Sequence, residues 1–140
     1  MRNNKKIGIL VYTDYLLNLK NAPANEVTEV ALKFDKIEYF TTDFTGQNLK
    51  QKPNYICVID IKNNVYYIPG HLKNLINLLP EHFVRINDGY IINILSPSFE
   101  GRINGKTVKI MNKKLQITKT FIHSFNERIL QYYIEGKIRK

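Results

Sequence analysis

Along most of the 140-residue chain, short apolar runs rich in Ile, Val, Tyr and Phe alternate with polar breaks. Runs of four to eight such residues bounded by turn formers read as β-strands. Residues 7–12 (IGILVY), 27–32 (VTEVAL), 36–41 (KIEYFT) and 55–61 (YICVIDI) are of this kind, with Phe34-Asp35 as a turn between the second and third. Residues 14–21 fit a helical turn or a continued strand equally well, and Asn21-Ala22-Pro23-Ala24-Asn25 breaks the chain after them. Residues 42–54 form a polar stretch with no core-forming period, which predicts a functional or disordered loop. Asn63-Asn64 marks a hairpin turn leading into residues 65–68.

Two segments carry a helical period instead. Leu72, Leu75, Ile76 and Leu79 recur at i, i+3, i+4 and i+7, predicting an amphipathic helix over residues 70–79 that Pro80 stops. Phe121, Ile122, Phe125, Ile129 and Tyr133 form the stripe of a last helix, with Thr118 or Thr120 as its N-cap. Between the helices, residues 83–95 read as two short strands bent at Asp88-Gly89. Residues 99–103 and 106–111 flank Asn104-Gly105, a pair suited to the positive φ angles of a type I′ turn. A further turn at residues 112–114 leads to Leu115-Gln116-Ile117, and residues 136–140 make a basic tail. The pattern predicts a mostly β domain, seven to ten short strands, with one internal short helix and a C-terminal helix.

Composition narrows the function. The single cysteine, Cys57, excludes an internal disulfide and any CxxC site. The apolar runs are too short to span a membrane, and the charged start is not followed by an uninterrupted apolar stretch, so a cytoplasmic protein without a membrane partner is expected. His71, His82 and His123 lack metal-ligand spacing, and no nucleophile elbow, phosphate-binding loop or acid/base carboxylate pair is present. Neither an enzyme nor a cofactor is expected. His71 and His82 read as exposed polar residues. His123 reads the same way, with a phosphate contact as the alternative.

Charge is uneven. The net +9 divides into +1 for residues 1–100, with 11 basic and 10 acidic side chains, and +8 for residues 101–140, with 10 and 2. Concentrated positive charge points to a polyanionic partner or to a solvated basic face.

Residues 67–93, YIPGHLKNLINLLPEHFVRINDGYIIN, carry an ordered set of motifs. Gly70-His71-Leu72-Lys73-Asn74-Leu75 is similar to a G-S-L-K-E-L helix start. Phe83, Arg85, Tyr90 and Asn93 fit F-x-R-x-H-R-S-Y-x-V-N. Upstream, residues 34–40 resemble a D-D-I-x-Y-I segment, and downstream residues 115–122 stand where L-P-V-S-R-R-Y-L would. Together these resemble the LytTR family of bacterial DNA-binding domains. The resemblance implies stacked short β-sheets that bind duplex DNA through loops in successive major grooves, as a transcription regulator. It implies a LytTR-like domain over residues 26–135, behind an N-terminal extension, residues 1–25, of strand plus linker. That extension is too short for the receiver domain that often precedes the family's domain.

Carried over by motif, the contact segments are residues 50–54, with Lys50, Lys52 and Asn54; Asn87-Asp88-Gly89, preceded by Arg85; and Thr118-Lys119-Thr120. Departures matter here. Asn87-Asp88 replaces a His-Arg pair, and Lys119-Thr120 replaces paired arginines, losing the planar fork that reads guanine bidentately. The alternative is a protein-interaction module or antagonist on the same fold with weakened DNA binding. A homodimer or a regulatory protein partner is a further expectation.

Overall fold

The computed structural model describes residues 8–13 and 29–138. The ambiguous segment 14–21, the break at 21–25 and the last two residues of the basic tail lie outside the described residues.

Among the described residues, ten strands and two α-helices follow in order: β1 (Gly8–Thr13), β2 (Glu29–Lys33), β3 (Ile37–Thr41), β4 (Tyr55–Asp60), β5 (Val65–Pro69), α1 (Leu72–Leu75), β6 (Phe83–Asn87), β7 (Tyr90–Asn93), β8 (Phe99–Asn104), β9 (Thr107–Ile110), β10 (Lys113–Gln116) and α2 (Lys119–Ile134). Seven strands form one antiparallel sheet in the order β2-β1-β5-β4-β3-β7-β6, and three form a second, β10-β9-β8. β1, which the sequence placed in an extension, is an internal strand between β2 and β5.

At β4 the large sheet is covered on both faces, which explains why that strand reads as an unbroken apolar run rather than an alternation. Successive side chains point to opposite faces of a strand. Cys57 and Ile59 therefore join Tyr39, Tyr67, Ile86 and Ile92 on one face, against Val108, Ile110 and Leu115 of the small sheet and Phe125 and Tyr132 of α2. Ile56 and Val58 join Phe40, Ile68, Phe83 and Ile91 on the other, against Leu72. A bulge between Ile37 and Tyr39 in β3 accompanies a buried Glu38, which accepts hydrogen bonds from the Ser96 and Ser98 hydroxyls. A buried carboxylate needs such donors.

Several elements differ from the sequence pattern. The internal helix keeps its apolar stripe but is α-helical only at Leu72–Leu75, tightening into a 3₁₀ turn at Ile76–Leu78. Leu79, held extended ahead of Pro80, ends it. On α2 the buried tyrosine is Tyr132, seven residues after Phe125, while Tyr133 is 46% exposed. A 3.6-residue period puts i+7 back on the same face, and i+8 drifts off it.

The β8–β9 turn is centred on Gly105-Lys106, with Asn104 paired to Thr107 and its Oδ1 accepting the Lys106 N–H at 3.0 Å. Neither Asn104 nor Gly105 has positive φ. That backbone occurs one hairpin later, at Met111 (φ 50°) and Asn112 (φ 65°).

Candidate nucleic-acid interface

The β3–β4 loop, residues 42–54, is far more ordered than its polar sequence implies. A 3₁₀ turn at Thr45–Gln47 follows Phe44, which is fully buried with its ring 5.3 Å from that of Tyr67. Asp43 Oδ1 accepts the Gly46 N–H at 3.0 Å, and Oδ2 accepts the Tyr90 hydroxyl at 3.2 Å. Gln47 accepts from the Tyr39 hydroxyl at 2.9 Å and donates through Nε2 to the Tyr90 oxygen at 3.1 Å. Burial pushes both phenols up, Tyr90 to about 12 with the nearby Asp43 carboxylate adding to the shift, so both remain donors at neutral pH. A Cβ at Gly46 would sit 2.2 Å from Asp43 Oδ2, so any larger residue there would have to displace the carboxylate from its bonds to Gly46 N–H and the Tyr90 hydroxyl. Lys113 from β10 donates to the Gly46 carbonyl at 2.9 Å, pinning the loop from the small sheet.

The far limb of the loop carries the predicted contact residues. Asn48 and Asn54 take left-handed backbone, φ 61° and 67°, which asparagine tolerates better than most residues. The Asn54 carbonyl accepts from Gly70 N–H at 2.9 Å, and Thr42 N–H donates to the Gly89 carbonyl at 3.0 Å. The Lys52 ammonium lies 4.7 Å from the Tyr55 ring centre. The side chains of Lys50 and Asn54 are exposed.

The β6–β7 turn is held differently. Arg85 donates from Nε to the Asn87 carbonyl at 3.3 Å and from Nη2 to the Asp88 carbonyl at 3.1 Å, with its guanidinium 5.0 Å from the Phe121 ring of α2. Asn87 accepts Gly89 N–H on Oδ1 and donates through Nδ2 to the Gln116 carbonyl, both at 2.8 Å. The Asp88 side chain is exposed, and its carboxylate has no partner among the described residues. Thr118 caps α2 with extended backbone, its hydroxyl making no cap bond and its N–H donating to the Ile86 carbonyl at 2.9 Å. Lys119 and Thr120, exposed on the first turn of α2, are thus tied to the β6–β7 turn.

Between loop and turn lies a cleft of about 330 Å³ lined by Lys52, Asn54, His71, Lys73, Arg85 and Asp88, among others. Four of the eight sequence-predicted residues, Lys52, Asn54, Arg85 and Asp88, meet there; Lys50, Asn87, Lys119 and Thr120 do not line it. Arg85 and Asn87, predicted to contact DNA, have polar groups engaged within the protein and fix the turn's shape. Lys73 and His71 were missed as cleft residues. The signal for them was the G-H-L-K start of α1, which the apolar stripe obscured.

Several basic residues after position 100 are engaged within the protein. Lys109 lies 3.9 Å from Glu100, Lys137 lies 3.0 Å from Glu135, and Arg128 donates to the Glu81 carbonyl. His123 is exposed, 3.3 Å from Glu127. His82 corrects its reading as an exposed residue. It is half-buried against Phe83 with ring centres 4.7 Å apart, and burial holds its pKa below the usual histidine range. Among the described residues no three His, Cys, Asp or Glu side chains could hold a metal ion, and no helix is long and apolar enough to cross a membrane.

No family model and no curated protein matches the chain. Among solved structures, the fold is similar to the LytTr DNA-binding domain of a Bacillus cereus protein described as a methyl-accepting/DNA response regulator. The TM-score is 0.58 at 13% identity, over 89% of this chain and 98% of that one. The fold is therefore LytTR-like, and the solved structure it resembles is a DNA-binding domain rather than an enzyme.

Proposed function

We propose that the chain binds duplex DNA through the end of the fold where the 42–54 loop, the β6–β7 turn and the start of α2 meet, and that it acts there as a transcription regulator in the cytoplasm. The observation that carries this reading is the convergence of Lys52, Lys73 and Arg85 on one cleft, with the start of α2, which carries Lys119, bonded to the β6–β7 turn. Loops projecting from a rigid sheet suit insertion into grooves, and lysines placed around them neutralise phosphates. The similarity to a LytTr DNA-binding domain supports the same reading.

The test is the salt dependence of affinity. Neutralising about five phosphates gives a slope of log K against log salt near −4.5, and Lys119→Ala should reduce it by about 1 while weakening all sequences alike. A slope near zero, or no binding at low salt, refutes the proposal.

One observation favours a second reading, a protein-interaction module on the same fold. Asp88 places an unpartnered carboxylate in the cleft, where phosphate would be repelled. Asp88→Asn separates the two at fixed salt. Under the DNA reading non-specific affinity rises, and specific affinity rises too unless Asp88 accepts from a cytosine N4, when it drops at one base pair. Under the interaction reading DNA assays do not change and capture of a protein partner is impaired.

A further inference from the structure

A second concavity, about 520 Å³, shares no lining residue with the cleft and runs between β8 and the second half of α2. Phe99 and Ile103 form one wall, and Phe125, Ile129, Leu130 and Tyr133 the other. Ile103, Leu130 and Tyr133 are 45%, 57% and 46% exposed, although large apolar side chains usually leave water. Arg102 spans the groove from β8. It donates from Nη2 to Asn126 Oδ1 and packs 5.3 Å from the Phe125 ring. Its Nε and Nη1 have no partner among the described residues, so a guanidinium that lines the groove keeps donors open to an acceptor.

The shape disfavours an added strand. β8 is an edge strand of the small sheet, but its register shifts between Phe99 and Gly101 and again between Arg102 and Asn104, and Gly101 has φ +84°. Bulges bend an edge, and charged residues such as Glu100 and Arg102 blunt it against pairing. The net charge of +9 opposes self-association and favours an anion. The volume is that of a small-molecule site, and the walls are mostly apolar with Glu100, Arg102 and Asn126 among the polar members; the Glu100 carboxylate lies 3.9 Å from the Lys109 ammonium, which offsets its charge.

We propose that this groove binds a small amphipathic anion, a carboxylate on an apolar body, with the head group received by Arg102 and the tail laid between β8 and α2. This inference does not rest on the DNA reading.

Calorimetry and backbone-amide NMR on the full chain test it with three probes: decanoate, 1-decanol and acetate. Decanoate should bind saturably at one site, shifting amides of β8 and of residues 125–133. Acetate should not bind, and decanol should bind about tenfold more weakly. Arg102→Gln should bring decanoate down to the decanol level and leave decanol unchanged, while Arg102→Lys retains part of the difference. Leu130→Glu should abolish uptake of both long-chain probes, with far-ultraviolet circular dichroism confirming that each variant is folded. The proposal is overturned if decanoate does not saturate, or if its affinity is indifferent to Arg102→Gln in a folded variant. Sedimentation showing a dimer of the ligand-free chain, with the groove amides at its interface, would assign the groove to a second copy and overturn it equally.

Discussion

The 42–54 loop and the β6–β7 turn face the same cleft and are held in opposite ways. In the loop the fixing is done from below, by Asp43, Gln47 and Tyr90 and by the buried Phe44, and the side chains of Lys50 and Asn54 on the far limb are left to solvent. In the turn the fixing is done from the side, by Arg85 and Asn87: the Asn87 amide is engaged at both ends, and Arg85 spends Nε and Nη2 on the turn's carbonyls. A polar side chain near a binding edge either shapes the backbone or meets the ligand, because its donors and acceptors are few. Motif resemblance alone does not separate these two duties.

Three substitutions test that division. Arg85→Ala should have the largest effect, because it removes the turn's brace and a cation together. Binding to all DNA sequences should fall by about 2–3 kcal/mol, and unfolding in urea should shift to lower concentration, since bonds from a charged donor are worth about 1.5–3 kcal/mol before solvent screening of a half-exposed group. If the midpoint stays put while affinity collapses, Arg85 is a contact residue and the contrast drawn here is wrong.

Asn54 should behave the other way. Its left-handed backbone makes Asn54→Gly the clean substitution, because alanine would add strain unrelated to binding. Preference at one base pair should relax by about 1–3 kcal/mol with stability nearly unchanged, read from affinities for a panel of single-base operator variants. An unaltered preference removes the loop as a reader.

Gln47→Leu should be the mildest in binding. It strips a partner from the Tyr39 and Tyr90 hydroxyls, which should lower stability by about 1–2 kcal/mol. It should also speed hydrogen exchange in residues 44–49 while protection in β7 persists. Equal exchange in loop and sheet would mean that the network does not hold the loop.

Much of the architecture was legible from periodicity. β4 is visible as an apolar run because burial on both faces demands one, and α2 because Phe125 and Ile129 recur at the helical period. What was not legible depended on a phase or a partner. Tyr132 and Tyr133 are adjacent and chemically identical, and only the docking angle of the helix decides which is buried. The order in residues 42–54 arises from hydroxyls on β3 and β7, residues 39 and 90, which no local pattern links to Gln47. The β8–β9 turn slipped one residue from its Asn-Gly signal because the Asn104 side chain supplies its own closing bond. At the candidate site, the resemblance points to three segments, and the structure brings them side by side. It could not show that Arg85 and Asn87 face inward to the turn, which is a matter of side-chain direction.

The left-handed asparagines have a consequence for the chain's evolution. Asn48, Asn54, Asn63 and Asn112 all lie where a side chain with a branched Cβ is excluded. Drift at these four positions should therefore be confined largely to Gly, Asp and Asn, whatever each residue does. Invariance of Asn54 among descendants would be the signature of a backbone constraint first. A base-reading role would show as the absence of the glycine that the backbone alone would accept, set against its free appearance at Asn63, on a hairpin outside the cleft lining.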